Sequence, residues 1–202
     1  MQVKKEEIRE AIIRIAEIEF ANKGFKVASM RTIARKANTT IGNVYNYFSS
    51  KEELLDVIIG DTVKHIENLF NNHVEENIRI YDFETLNKEI VKCDIEKLGY
   101  SIFLSKKFII LMEGSEGTKY ETYREEFLKK CKDHFLWHLN KKEDKGNFIE
   151  IVANAFVNGI LFIAKRNDDI AKAKGDFIKL YQLICSGMVS QFNVRGEFND
   201  RN

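Results

Sequence analysis

The sequence predicts an all-helical chain, and three observations carry that reading. The 202 residues contain 0 prolines and 11 glycines, so few breakers interrupt the chain. Apolar residues recur at spacings of three and four along several long segments, the period of an amphipathic helix. Capping residues stand where those segments begin and end. A hydrophobic fraction of 44% and a charged fraction of 31% fit a globular protein with a sizeable core. No internal repeat or low-complexity tract appears.

The first helix is expected from about Lys5 to Lys23, with Ile8, Ile12, Ile15, Ala16 and Phe20 on one stripe and Gly24 closing it. Ser29 is placed to cap a short second helix, Met30 to Lys36. Asn38 sits where the chain turns sharply, and asparagine tolerates the left-handed conformation that such a turn requires. Thr40 or Thr39 caps a third helix reaching Tyr47, and two short helices across a tight turn form a helix-turn-helix unit. Ser50 with Glu53 reads as a capping box that launches a long fourth helix to about Ile78. Without a visible linker, the domain boundary is expected at or inside that helix, with residues 1–49 and 50–202 as the two domains. Further helices are expected over Phe83 to Leu98 and around Ser101 to Met112. Another should run from Thr118 to Leu139, with Thr118 and Glu121 as a second capping box, and the last two from Asn147 to Lys165 and on to about Val194.

Charge is unevenly distributed. Residues 1–51 hold 10 basic and 5 acidic residues, a net +5, whereas the remainder holds 22 and 26, a net −4. Between Phe20 and Lys51 stand Lys23, Lys26, Arg31, Arg35, Lys36 and Lys51 and no acid, an electrostatic footprint for a polyanion. Three widely spaced cysteines, Cys93, Cys131 and Cys185, suit reduced thiols and a cytoplasmic setting. The charged start MQVKKEEIREAIIRIAE lacks the apolar core of a secretory signal. The apolar run Phe148 to Ala164 includes Glu150, Asn154 and Asn158, and reads as a buried helix with no membrane role.

Gly24-Phe25, Arg31, Ile33-Ala34, Ala37, Gly42, Tyr45, Tyr47-Phe48, Lys51 and Leu54 together resemble the helix-turn-helix signature of TetR-family transcriptional regulators. The resemblance covers roughly residues 8 to 55, and beyond it only the helical architecture agrees. Three positions depart from the family pattern: Asn38 stands where glycine is usual, Thr39 where a small apolar residue is, and Ile41 where a polar one is.

The resemblance implies an N-terminal three-helix DNA-binding domain and a C-terminal helical domain for effector binding and dimerisation. It implies contacts to double-stranded DNA from Ser29, Arg31, Thr40, Ile41, Gly42, Asn43, Tyr45, Tyr47 and Lys51. Physical chemistry gives each a role. Thr40 caps the reading helix and reaches a phosphate, Gly42 admits close approach, and Asn43 pairs with a base edge. Tyr45 and Tyr47 offer hydroxyls to phosphates, and Ile41 meets a thymine methyl. Arg31 and Lys51 are cations in the first turns of helices, where the dipole disfavours them unless a phosphate docks there. Val44 and Phe48 are expected to hold the reading helix against the core.

In the remainder, Phe70, Phe103, Phe108, Tyr123, Phe127, Cys131, His134 and Trp137 are candidate walls of an effector pocket, or plain core. Cys131, His134 and His138 share one helix face with soft ligand atoms, yet no fourth ligand is evident, so no metal or other cofactor is expected. Phe148, Val152, Ala155, Gly159, Phe162, Phe177, Leu180, Tyr181, Ile184 and Met188 form candidate dimer surfaces on the last two helices, able to pair as a four-helix bundle. A metal-dependent or thiol enzyme and a helical interaction module are the rival readings. No phosphate-binding glycine loop, HExxH or GxSxG supports an enzyme. The expected function is a homodimeric repressor, released from a near-palindromic operator when a small-molecule effector prefers a different spacing of the two reading helices.

Overall fold

The computed structural model describes residues 2–75, 99–139, 141–166 and 169–193, and every regular element among them is helical. In order these are α1 (Gln2–Val27), α2 (Met30–Lys36), α3 (Ile41–Tyr47) and α4 (Lys51–Glu75). A 3-10 turn (Tyr100–Leu104) precedes α5 (Lys106–Ile109), which runs into a π-helical turn (Ile110–Gly114). Then come α6 (Tyr123–His138), α7 (Phe148–Arg166) and α8 (Ile170–Asn193). The helix expected over 83–98, the end of the long fourth helix beyond Glu75 and the polar tail lie outside the described residues.

The chain divides into two units. The first comprises Met1–Asn68 and Ser105–Arg124, the second Leu69–Leu104 and Glu125–Asn202. This differs from a division at residue 49, and the reason is a buried contact distant in sequence. Phe108 to Met112 are all buried, and the turn they form packs on α1. Gly114 makes this approach possible, because a Cβ there would lie 3.0 Å from the Phe20 carbonyl oxygen. Lys26–Glu116 and Lys119–Asp56, each at 2.7 Å, pair across the same unit.

Within this unit Ile12, Ala16 and Phe20 are fully buried, as their spacing requires. Gly24, with φ 75° and ψ 160°, is non-helical and closes the long part of α1 as the sequence predicts, and one separate turn follows to Val27. The turn after α2 forms as its sequence predicts. Asn38 has φ 53°, and the Asn38 and Thr39 amides donate to the Arg35 and Ala34 carbonyls, which satisfies the end of α2.

Two capping expectations change. The Ser50 hydroxyl accepts from the Glu53 amide at 3.1 Å, but the Glu53 carboxylate takes the amide and hydroxyl of Ser49, closing the box one residue early. Thr118 does not start a helix: its hydroxyl donates to the Ser115 carbonyl at 2.7 Å, Glu121 accepts from the Gly117 amide at 3.1 Å, and α6 begins only at Tyr123.

In the second unit α7 packs on α8 through Gly159, where a Cβ would lie 2.6 Å from a Leu180 methyl. By length and composition alone α7 could cross a membrane. Here Ile149, Ala153, Phe156, Val157, Ile160, Leu161 and Ile163 form its buried face.

One carboxylate is buried in the first unit. Glu19, 2% exposed, accepts from Lys23 at 2.9 Å and from Lys36, tying α1 to α2. The Lys36 and then the Lys23 hydrogen bonds hold its pKa below the usual 4.5, against the opposing effect of burial. A lowered carboxylate pKa stabilises the fold fully above the unfolded value, and that stability is lost as pH falls through the folded value. Glu19→Gln should therefore cost roughly 1–3 kcal/mol at pH 7 in urea unfolding. The gap to the parent should close as pH drops below about 4.5.

Candidate nucleic-acid interface

The third helix presents two unlike sides. Val44 and Phe48 are 0% and 1% exposed and fix it to the core. Thr40, Ile41, Gly42, Tyr45 and Asn46 face outward. Ile41 and Tyr45 are 40% and 48% exposed, large side chains that the fold leaves in solvent. A Cβ on Gly42 would meet nothing within 4 Å, so the space over it is open among the described residues. Asn46 was not singled out by sequence reasoning, although its place four positions after Gly42 puts it on the same outward side.

The polar residues at the start of α3 are held in place. The Thr40 hydroxyl accepts from the Asn43 amide at 3.1 Å, the expected N-cap. The Asn43 side-chain amide donates to the Thr39 hydroxyl at 2.7 Å, which leaves its carbonyl oxygen and second N–H available. Thr39 is thus an orienting residue, not a substitute for a small apolar one. Tyr47 is half-buried beside Phe48, their ring centroids 6.5 Å apart. Ser29 has the extended backbone of an N-cap, but its side chain makes no capping bond and stands exposed.

Most of the acid-free stretch is already paired. Lys23 and Lys36 bind Glu19, and Lys26 binds Glu116. Arg31 and Arg35 remain exposed, with no ion pair among the described residues. The free positive charge is smaller than a count of residues suggests, because acids from α1 and from residue 116 fold back on it.

Lys51 has the most informative position. Its ammonium donates to the Phe25 carbonyl at 2.6 Å and the Ala28 carbonyl at 2.9 Å, and lies 4.3 Å from the centroid of the Phe25 ring. Burial lowers its pKa from the ordinary lysine value. Sequence reasoning reserved this cation for a phosphate because it opposes the dipole of its own helix. The structure gives it one carbonyl from the C-terminal turn of α1, where a cation is favoured, and one from the loop that follows.

In the second unit a cavity of about 90 Å³ is lined by Phe70, Phe103, Phe127, Cys131 and His134 from the expected pocket set. Phe108 and Tyr123 are buried in the first unit instead, and Trp137 stacks behind the cavity on His134. His134 and His138 meet through their Nε2 atoms at 3.0 Å. Among the described residues no group of three or more histidine, cysteine or acidic side chains is placed to hold a metal. Burial pushes the Cys131 and Cys185 thiols up to about 12, far from the thiolate that a nucleophile needs.

The candidate dimer residues divide. Phe177, Tyr181 and Met188 turn into the cavity, and Gly159 and Leu180 meet within the chain. Phe148, Ala155 and Phe162 remain outward, and Val152 and Ile184 are half-buried. Two residues not foreseen join the outward set, Ile151 at 62% and Leu183 at 71% exposure. Periodicity finds the apolar stripes of these helices but does not say which stripe faces which neighbour.

Residues 12–58 match the family described as bacterial regulatory proteins, tetR family. The match falls on the N-terminal helix-turn-helix, the segment that carries the sequence resemblance. The chain is 32% identical over 53 residues to the HTH-type transcriptional repressor KstR2 of Mycolicibacterium smegmatis, covering 26% of each chain. It is 27% identical over 74 residues to the uncharacterized HTH-type transcriptional regulator YhgD of Bacillus subtilis, covering 37% of this chain and 39% of that one. The matches thus span about a quarter to two fifths of these relatives' lengths. A solved structure of NalD, the secondary repressor of the MexAB-OprM multidrug efflux pump in Pseudomonas aeruginosa, is 21% identical over 89% of this chain and 96% of that one, with a TM-score of 0.36.

The geometry of Lys51 makes a prediction about stability. Lys51→Met keeps the aliphatic stem but strands the Phe25 and Ala28 carbonyls, and should cost about 1–3 kcal/mol in urea unfolding. Tyr45→Ala, at an exposed position, should change stability by less than about 0.5 kcal/mol.

Proposed function

We propose that this chain is a sequence-specific DNA-binding transcriptional regulator acting as a homodimer, with α3 in the major groove of a near-palindromic duplex. The observation that supports it most is the outward face of α3. A helix anchored by Val44 and Phe48 presents Ile41, Gly42, Tyr45 and Asn46, with open space above the glycine. Such a face suits a groove floor, where N-terminal residues of the helix meet base edges. Asn43, steadied by Thr39, offers an acceptor and a donor to a base, and Ile41 offers a methyl-sized contact to thymine. Ser29, Arg31, Thr40, Tyr45 and Tyr47 are assigned to phosphate and sugar. Lys51 is reassigned from phosphate contact to holding the unit together.

The outward residues of α7 support a second copy as partner. Phe148, Ile151, Ala155, Asn158 and Phe162 are exposed and follow one another at spacings of three and four, the repeat of a helix-pairing seam. A two-fold dimer would bring two α3 helices to the two halves of a palindrome. The cavity of the second unit is assigned to a small-molecule effector, repression to the unliganded state, and the cytoplasm to its place of action. The effector must bind the two states with different affinity to release DNA.

Selection from a random duplex library, followed by binding titrations, tests this directly. Gly42→Ala should raise fold stability by roughly 0.5–1 kcal/mol, since alanine is the better helix former and the added methyl meets nothing. The same methyl should weaken binding to the selected duplex at least tenfold, because it stands where the bases approach. Equal affinity of parent and variant would sink the assignment. Arg31→Ala should reduce the slope of log affinity against log salt by about 0.9, the signature of one lost phosphate contact, and Lys51→Met should leave that slope unchanged. Phe162→Asp, at an exposed position, should shift the chain to monomer in sedimentation equilibrium while leaving it folded.

A further inference from the structure

We infer that the cavity of the second unit is a site for an uncharged, single-ring aromatic molecule carrying at most one hydrogen-bonding substituent, which meets the His134–His138 pair. The inference rests on the effector reading of that cavity and names its ligand class.

The described part of the lining disfavours charge. Among the described residues the wall carries no aspartate, glutamate, lysine or arginine. An ion entering would leave its hydration shell with no counter-charge to meet it, a cost of several kcal/mol. Rings dominate what the ligand would touch. Phe70 and Phe127 meet edge to face at 5.8 Å, while Phe103 and Phe177 stack at 6.4 Å. Aromatic edges and faces at these spacings favour another flat ring over an aliphatic chain.

Size limits the ligand to one ring. The cavity holds about 90 Å³. An engineered void of roughly 150 Å³ with an apolar lining takes benzene. At 90 Å³ the cavity is smaller than that void, so one ring is the upper limit and its entry already requires a small shift of the walls.

The described wall carries the Tyr100 and Tyr181 hydroxyls, the Cys131 and Cys185 thiols and the histidine pair, and the pair is the group assigned to the ligand. At 3.0 Å between Nε2 atoms, one imidazole donates and the other accepts, so the two share one proton. A ligand hydroxyl replaces that contact with equal bonding on both sides, donating to one ring and accepting from the other. A plain hydrocarbon ring leaves the pair bonded to itself. Neutral rings with and without a hydroxyl are both admitted, and the hydroxyl makes the difference between them depend on the histidine pair.

The test uses the full chain and three probes of one shape, toluene, phenol and benzoate, each up to roughly 10 mM in thermal unfolding at pH 7. Toluene and phenol should raise Tm with concentration, and benzoate should not. Replacing both rings, His134→Leu with His138→Leu, should weaken phenol about 3- to 10-fold, the equivalent of one lost hydrogen bond, and leave toluene unchanged. A Tm rise with benzoate equal to that with phenol overturns the inference, and so does the absence of any rise with both neutral rings. Duplex binding measured on the same preparation separates the two readings. DNA binding without ring binding removes the ligand class alone, and ring binding without DNA binding removes the regulator alone.

Discussion

The ammonium of Lys51 is the contact on which the first unit depends. It belongs to the first turn of α4, yet its hydrogen bonds end on Phe25 and Ala28, at the junction of α1 and α2. One side chain thereby ties α4 to the loop between α1 and α2. The other holds act in the same direction. Glu19 joins α1 to α2, Val44 and Phe48 fasten α3 to the core, and Gly114 lets a distant turn close on α1. These directional bonds supply the rigidity that presenting a helix to a groove requires.

Much of this unit was legible in the sequence because its signals are local. The bounds of α2 and α3, the left-handed Asn38 and the Thr40 cap depend on residues within four positions of one another. What sequence missed depends on partners far along the chain. Nothing near Lys26 announces Glu116, and nothing near Lys51 announces the carbonyl of Phe25. The same blindness placed Phe108 and Tyr123 in the pocket and put the unit boundary at residue 49. Local misjudgements were smaller: Ser29 stands at the cap position without bonding, and Glu53 reaches Ser49 rather than Ser50.

The second unit was legible in composition more than in placement. That its helices carry wide apolar faces follows from periodicity. Only the fold sorts those faces, turning Phe177, Tyr181 and Met188 to the cavity and Ile151, Phe162 and Leu183 to solvent. The sorting gives each face a distinct physical task. An enclosed face lined by rings and a histidine pair can hold a small molecule. An open face of apolar residues costs free energy in water until something covers it.

The central claim is that the outward face of α3 is the surface that DNA covers. Hydrogen exchange of the backbone amides, with and without a duplex selected by the chain, reports on it directly. The account predicts added protection over residues 40–47 and around residues 29–31, with none at the walls of the second unit's cavity. Protection confined to other segments, with the amides of α3 unchanged by a duplex that demonstrably binds, would contradict it.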